Sequence, residues 1–193
     1  MAQEETGQEL LDSLESAAKK IKDQDQLRLV KSFARIARQI DDVKNFVETI
    51  SDDHMTDEER PELESVIQDV EAKMLDTNGN LLEFIDIVTE QATLGKSEIS
   101  EYFMDMVRSI IKDFKIVNEV LIKWKRAIKN DPSSIKGEML EKSLTWLRSR
   151  TSGPLIRIMH KNLRLAKMMD KLRKEQVVSE VYKYICESYG IKQ

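Results

Sequence analysis

The stretch "LVKSFARIARQIDDVKNFVETI", residues 29–50, carries apolar side chains in a strict seven-residue repeat. The apolar positions follow one another at steps of four and three over three heptads, which is the spacing of one face of an α-helix. Such a stripe packs lengthwise on another helix, either inside the same bundle or on a second copy of the chain. The heptad pattern of helix 29–50 therefore predicts a helical bundle. The alternative is that the stripe mediates self-association of the chain. Its members are Leu29, Phe33, Ile36, Ile40, Val43, Val47 and Ile50.

The composition agrees with an all-α fold. The chain has 193 residues, 40% of them apolar, and contains only three Pro and six Gly. This is enough apolar material for a proper core, and the few chain breakers favour helices joined by short turns. We expect an all-α bundle of about six to eight helices in a single domain, residues 1–193. A boundary near residue 95 or 131, between an acidic and a basic half, is the alternative.

Local signals place the helix boundaries. Thr56 and Glu59 fit a capping box, which predicts that a helix begins just after them. The segment 98–130 carries apolar residues on several sides and is expected to be the longest helix and the central one. The stretch "RTSGP", which ends at Pro154, predicts the end of one short helix and the start of the next.

The stretch "DTNGNLLEFID", residues 76–86, resembles the calcium loop of an EF-hand. Its glycine, however, stands at loop position 4 instead of 6, and Ile87 takes the place of the acid at position 12. The favoured interpretation is a turn between two helices, and a weakly calcium-responsive site is the alternative. The possible ligands are Asp76, Asn78, Asn80, Glu83 and Asp86.

Recognisable catalytic chemistry is absent from the sequence. The chain has two histidines, His54 and His160, far apart and without metal-site spacing, and one cysteine, Cys186, among apolar neighbours that predict a buried thiol. It has no Gly-rich phosphate loop and no nucleophile elbow. We therefore expect no enzyme activity and no cofactor. The acidic N-terminal stretch and the lack of a long apolar run predict a cytoplasmic protein, with the nucleus as the alternative.

Charge is divided unevenly along the chain. Residues 1–95 carry 23 acidic and 10 basic side chains, whereas residues 96–193 carry 12 acidic and 21 basic ones. Most of the basic excess lies on a predicted amphipathic helix, where the cations fall on one side and apolar residues on the other. We call these residues the basic stripe. It consists of Arg157, Lys161, Arg164, Lys167, Lys171 and Lys174, extended by Arg148 and Arg150.

The basic stripe is the most informative functional feature of the sequence. It suits an acidic protein surface, and it also suits nucleic-acid phosphates. Nucleic acid is the weaker expectation, because the stripe carries no aromatic residues for base stacking and the protein is acidic overall, with a formal net charge of −4. The simplest alternative is that the stripe is only solvated or docks on the chain's own acidic half. The sequence thus predicts an adaptor, scaffold subunit or regulator.

Overall fold

The structure is a computed structural model that describes residues 7–93 and 101–188. All regular structure in this part of the chain is helical, so the expected all-α fold is confirmed. It contains five α-helices and one 3₁₀ turn, fewer than the six to eight helices expected. They are α1 (Gly7–Lys20), α2 (Gln24–His54), α3 (Arg60–Thr93), α4 (Glu101–Asn130), the 3₁₀ turn (Pro132–Ile135) and α5 (Glu138–Ser188).

The four long helices form a ring of neighbours. Helix α2 packs on α3 and α4, while α5 closes the ring by packing on both α3 and α4. The short α1 lies against α2 and α3. One apolar core, from Leu10 in α1 to Met169 in α5, fills the space between the helices. Because each long helix has two long neighbours, the expected arrangement around one central helix is not confirmed. Position 95, one of the two alternative domain boundaries, lies outside the described residues, and position 131 joins α4 to the 3₁₀ turn.

The heptad stripe of α2 is used inside the bundle. All its members are buried except Leu29, which is half-buried against the core. Phe33 meets Phe114 of α4 edge to face, with 5.6 Å between the ring centroids. Both rings are fully buried, so this pair adds directional packing to apolar burial. The alternative in which helix 29–50 offers this stripe to a second copy does not fit the burial.

The expected turn at residues 76–86 is wrong, because α3 runs through it without a break. Met74, Thr77 and Leu81 are all buried and keep the helical spacing of three and four across the stretch. Asn78 is also buried, whereas Gly79 faces solvent. Burial of one helix face thus outweighs the local preference of Asn and Gly for a turn, a preference that amounts to about 1 kcal/mol for glycine.

The expected break at "RTSGP" is also wrong. Helix α5 continues through Pro154 and has 51 residues. It is therefore the longest helix of the described chain, whereas segment 98–130 was expected to be the longest. Its length is about 76 Å at 1.5 Å per residue. Leu147, Thr151, Pro154 and Ile158 are buried at successive steps of four, three and four. Proline cannot donate a hydrogen bond to the preceding turn, but its ring here fills a core position.

The predicted capping box before α3 is confirmed. The Thr56 backbone N–H donates to Glu59 Oε2 at 3.3 Å, and the Glu59 N–H donates to Thr56 Oγ1 at 3.3 Å. Glu59 Oε1 also accepts a hydrogen bond from the Gly137 N–H at 3.1 Å. These backbone donors, first that of Thr56 and then that of Gly137, lower the pKa of the Glu59 carboxyl. One carboxylate therefore connects the start of α3 to the turn before α5.

Candidate interaction surface on helix α5

Two members of the predicted basic stripe form ion pairs with a neighbouring helix of the bundle. Lys161 Nζ donates to Asp113 Oδ2 at 2.6 Å, and Arg157 donates to Asp113 Oδ1 through NH2 at 2.9 Å and Nε at 3.1 Å. The Asp113 side chain, on α4, is only 6% exposed. Burial alone would raise the pKa of this carboxyl, but the hydrogen bonds from Arg157 and Lys161 keep it below its usual value. These two cations are therefore occupied within the protein.

The other stripe cations are exposed and form no ion pair with another helix of the described chain. Lys171 lies 3.7 Å from Glu175 and Lys174 lies 2.7 Å from Asp170, both as pairs four residues apart on the helix surface. Such exposed local pairs contribute at most about 0.5 kcal/mol and exchange readily. The Arg164 guanidinium lies 5.8 Å from the centre of the Tyr102 ring. Three further cations have no ion pair with any residue in the described ranges: Arg148, Arg150 and Lys167.

Apolar side chains lie beside these cations on the solvent side of α5. Ile156 is 51% exposed, Met159 42% and Leu163 56%. This feature differs from the expectation from sequence, which placed the apolar residues of the helix on the side opposite the cations. A signal was available in the helical spacing. At 100° per residue, Ile156 and Leu163 lie on one side of the helix, about 140–180° from the buried Ile158 and Leu165. We call the row the outer face of α5; it consists of Ile156, Met159, Leu163, Lys167, Lys171 and Lys174.

The last turns of α5 extend beyond the packed part of the helix. Gln176 Nε2 donates to Glu90 near the end of α3 at 3.0 Å. After it, Val178 is 68% and Tyr184 71% exposed. Cys186 is buried, as its apolar neighbours predicted. We call residues 177–188 the projecting end of α5.

The possible calcium ligands of residues 76–86 are not gathered into a loop. Asp76 and Asp86 are exposed on different turns of α3. Asn80 Nδ2 donates to the buried Asn162 Oδ1 at 2.7 Å, and Glu83 Oε1 accepts from Arg173 Nε at 2.7 Å. The Asn78 side chain is buried and makes no hydrogen bond with the described chain. Within residues 7–93 and 101–188, no three His, Cys, Asp or Glu side chains are close enough to hold a metal ion.

No protein-family model, no curated protein and no solved structure matches this chain. Among the helices of the described residues, none combines the length and apolar character needed to cross a membrane.

Proposed function

We propose that this protein is a non-catalytic adaptor, scaffold subunit or regulator that binds an acidic protein partner through the outer face of α5. The observation that carries the proposal is the exposed row in which Ile156, Met159 and Leu163 continue into three lysines. Single exposed apolar residues are ordinary on protein surfaces, whereas a contiguous apolar group beside an excess of one sign of charge is typical of binding surfaces.

The chemistry of the face defines the partner. Long-range attraction and orientation come from the lysines, while the apolar side chains provide surface that is released from water on contact. A suitable partner is an amphipathic helix of another protein, with apolar residues at spacings of three, four and seven and with Asp and Glu beside them. Its apolar residues complement the apolar side chains of the outer face, and its acids complement the lysines. Arg148, Arg150 and Arg164 are exposed elsewhere on α5 and extend the positive surface. Arg157 and Lys161 are left out of the contact because Asp113 holds them.

The test is affinity capture with a charge-reversed outer face. The variant Lys167→Glu, Lys171→Glu, Lys174→Glu replaces three exposed lysines that make only local contacts or none. Its matched control is Lys22→Glu, Lys112→Glu, Lys123→Glu, which changes three other exposed lysines in the same way. Each protein is immobilised at the same density, exposed to native lysate with and without nuclease, and its bound proteins are quantified.

We expect acidic proteins to be retained by the wild type and by the control and lost from the outer-face variant, with or without nuclease. The variant Leu163→Asn should weaken the same capture at unchanged charge. Equal capture by both charge-reversed proteins would contradict the proposal. Capture that nuclease abolishes and that falls steeply with salt would assign the face to nucleic acid instead.

A further inference from the structure

A second surface, between α2 and α4, has the chemistry of a small-molecule site. A groove of about 460 Å³ lies between the two helices and is lined by residues of α2 and α4. This volume is within the range of ligand pockets in proteins. Lys31 and Arg35 of α2 and Lys115 of α4 line it, opposed by Glu119 alone. All four side chains are exposed, and none forms an ion pair with a described residue. The groove therefore presents a net positive charge that the described chain leaves unneutralised.

Polar amides from the two helices also meet in this groove. Asn118, which is only 5% exposed, donates from Nδ2 to Gln39 Oε1 at 2.6 Å. Its Oδ1 is buried without a hydrogen bond to the described chain. Leaving a buried acceptor unpaired costs free energy, and a donor supplied by a ligand removes that cost. Asn118 and Gln39 both line the groove.

We propose that the α2–α4 groove binds a small organic anion, a carboxylate or phosphate, that also carries a hydrogen-bond donor. The anionic group pairs with Lys31, Arg35 and Lys115, since a guanidinium and ammonium groups on two facing helices surround it with donors. The donor, a hydroxyl or amino group, pairs with the free oxygen of Asn118, and this pairing requires the side-chain amide to turn its oxygen toward the groove, because that oxygen is buried in the unliganded chain. This site is separate from the outer face of α5 and does not depend on the function proposed for that face.

The test follows backbone amide signals by ¹⁵N NMR during titration of the full chain with three probes. Citrate carries carboxylates and a hydroxyl, tricarballylate carries the same carboxylates without the hydroxyl, and glucose 6-phosphate carries a phosphate with hydroxyls. We expect the amide signals of residues 31–39 and 115–122 to shift with citrate or with glucose 6-phosphate. Which of the two probes causes the shifts shows whether the groove prefers a carboxylate or a phosphate. If citrate binds, tricarballylate should bind more weakly.

Two sets of variants complete the test. Lys31→Glu with Lys115→Glu should weaken binding by about tenfold or more, as expected when two attractive charges become repulsive, whereas Lys22→Glu with Lys142→Glu should leave it unchanged. Asn118→Leu should retain anion binding and lose the preference for citrate over tricarballylate, and the dispersion of the amide signals reports whether it remains folded. Absence of shifts in the groove with every probe, or equal weakening by both charge-reversed pairs, would overturn the proposal.

Discussion

The packed part of α5, residues 140–169, and its projecting end, residues 177–188, belong to one continuous helix but are stabilised differently. The packed part buries a residue every three or four positions and forms ion pairs with α4. Among the described residues, the projecting end buries only Cys186 and forms one ion pair, the local pair of Lys183 with Glu187 at 3.9 Å. Tertiary packing thus stabilises the first part, whereas the second depends on propensity and on continuity with a helix that is already nucleated.

Truncation of an apolar side chain should show the largest difference between the two parts. Leu147 is fully buried, so Leu147→Ala should lower the free energy of unfolding by about 2–5 kcal/mol. Val181 is 53% exposed, so Val181→Ala should change it by less than about 0.5 kcal/mol. Urea unfolding followed by circular dichroism measures both. Similar losses in the two variants would mean that the projecting end is packed as tightly as the rest of α5.

Removal of a charge should show the next largest difference. Asp113→Asn leaves Arg157 and Lys161 facing a neutral amide, and because both cations are partly exposed we expect a loss of about 1–3 kcal/mol. Glu187→Gln, the matching change in the projecting end, should cost less than about 0.5 kcal/mol. Urea unfolding near neutral pH compares the two variants with the wild type.

The pH dependence of stability provides a second, independent test of the role of Asp113. The pKa of Asp113 is lower in the folded protein than in the unfolded chain, so its contribution to stability is present above the unfolded value of about 3.9. That contribution is lost as the pH falls through the pKa that Asp113 has in the folded protein. The gap in unfolding free energy between wild type and Asp113→Asn should therefore narrow at acid pH. A gap that stays constant below pH about 3.9 would show that Asp113 acts through packing and not through its charge.

The sequence predicted the helical class, the cap before α3 and the heptad packing, because each depends on local spacing or on neighbouring residues. Both errors in helix boundaries started from local turn signals, and both have a second cause in common. Thr77 and Asn78 in α3, and Thr151 in α5, are polar residues at buried positions, so counting apolar side chains alone leaves a gap in a continuous row. Once they are included, the spacing of three and four runs through both expected breaks.

The basic stripe was predicted only in part, for a different reason. Its charge and its position on one helix face follow from spacing, but the buried partner of Arg157 lies 44 residues away on α4. Nothing in the local sequence marks Asp113, which looks like an ordinary acid on an amphipathic helix. Sequence therefore shows how many cations a helix carries, whereas only the fold shows which of them are free to meet a partner.

Removal of the projecting end should have the smallest effect on stability. A chain that ends at Gln176 keeps the described core except Cys186, so its free energy of unfolding should change by less than about 1 kcal/mol in urea unfolding. It also keeps the outer face of α5, so capture of an acidic partner should persist if the proposed function is right. A loss of several kcal/mol would show that Val178, Tyr184 and their neighbours are covered in solution. Retained stability with lost capture would instead place the binding surface within the removed residues 177–193 and not on the outer face, which the shortened chain keeps.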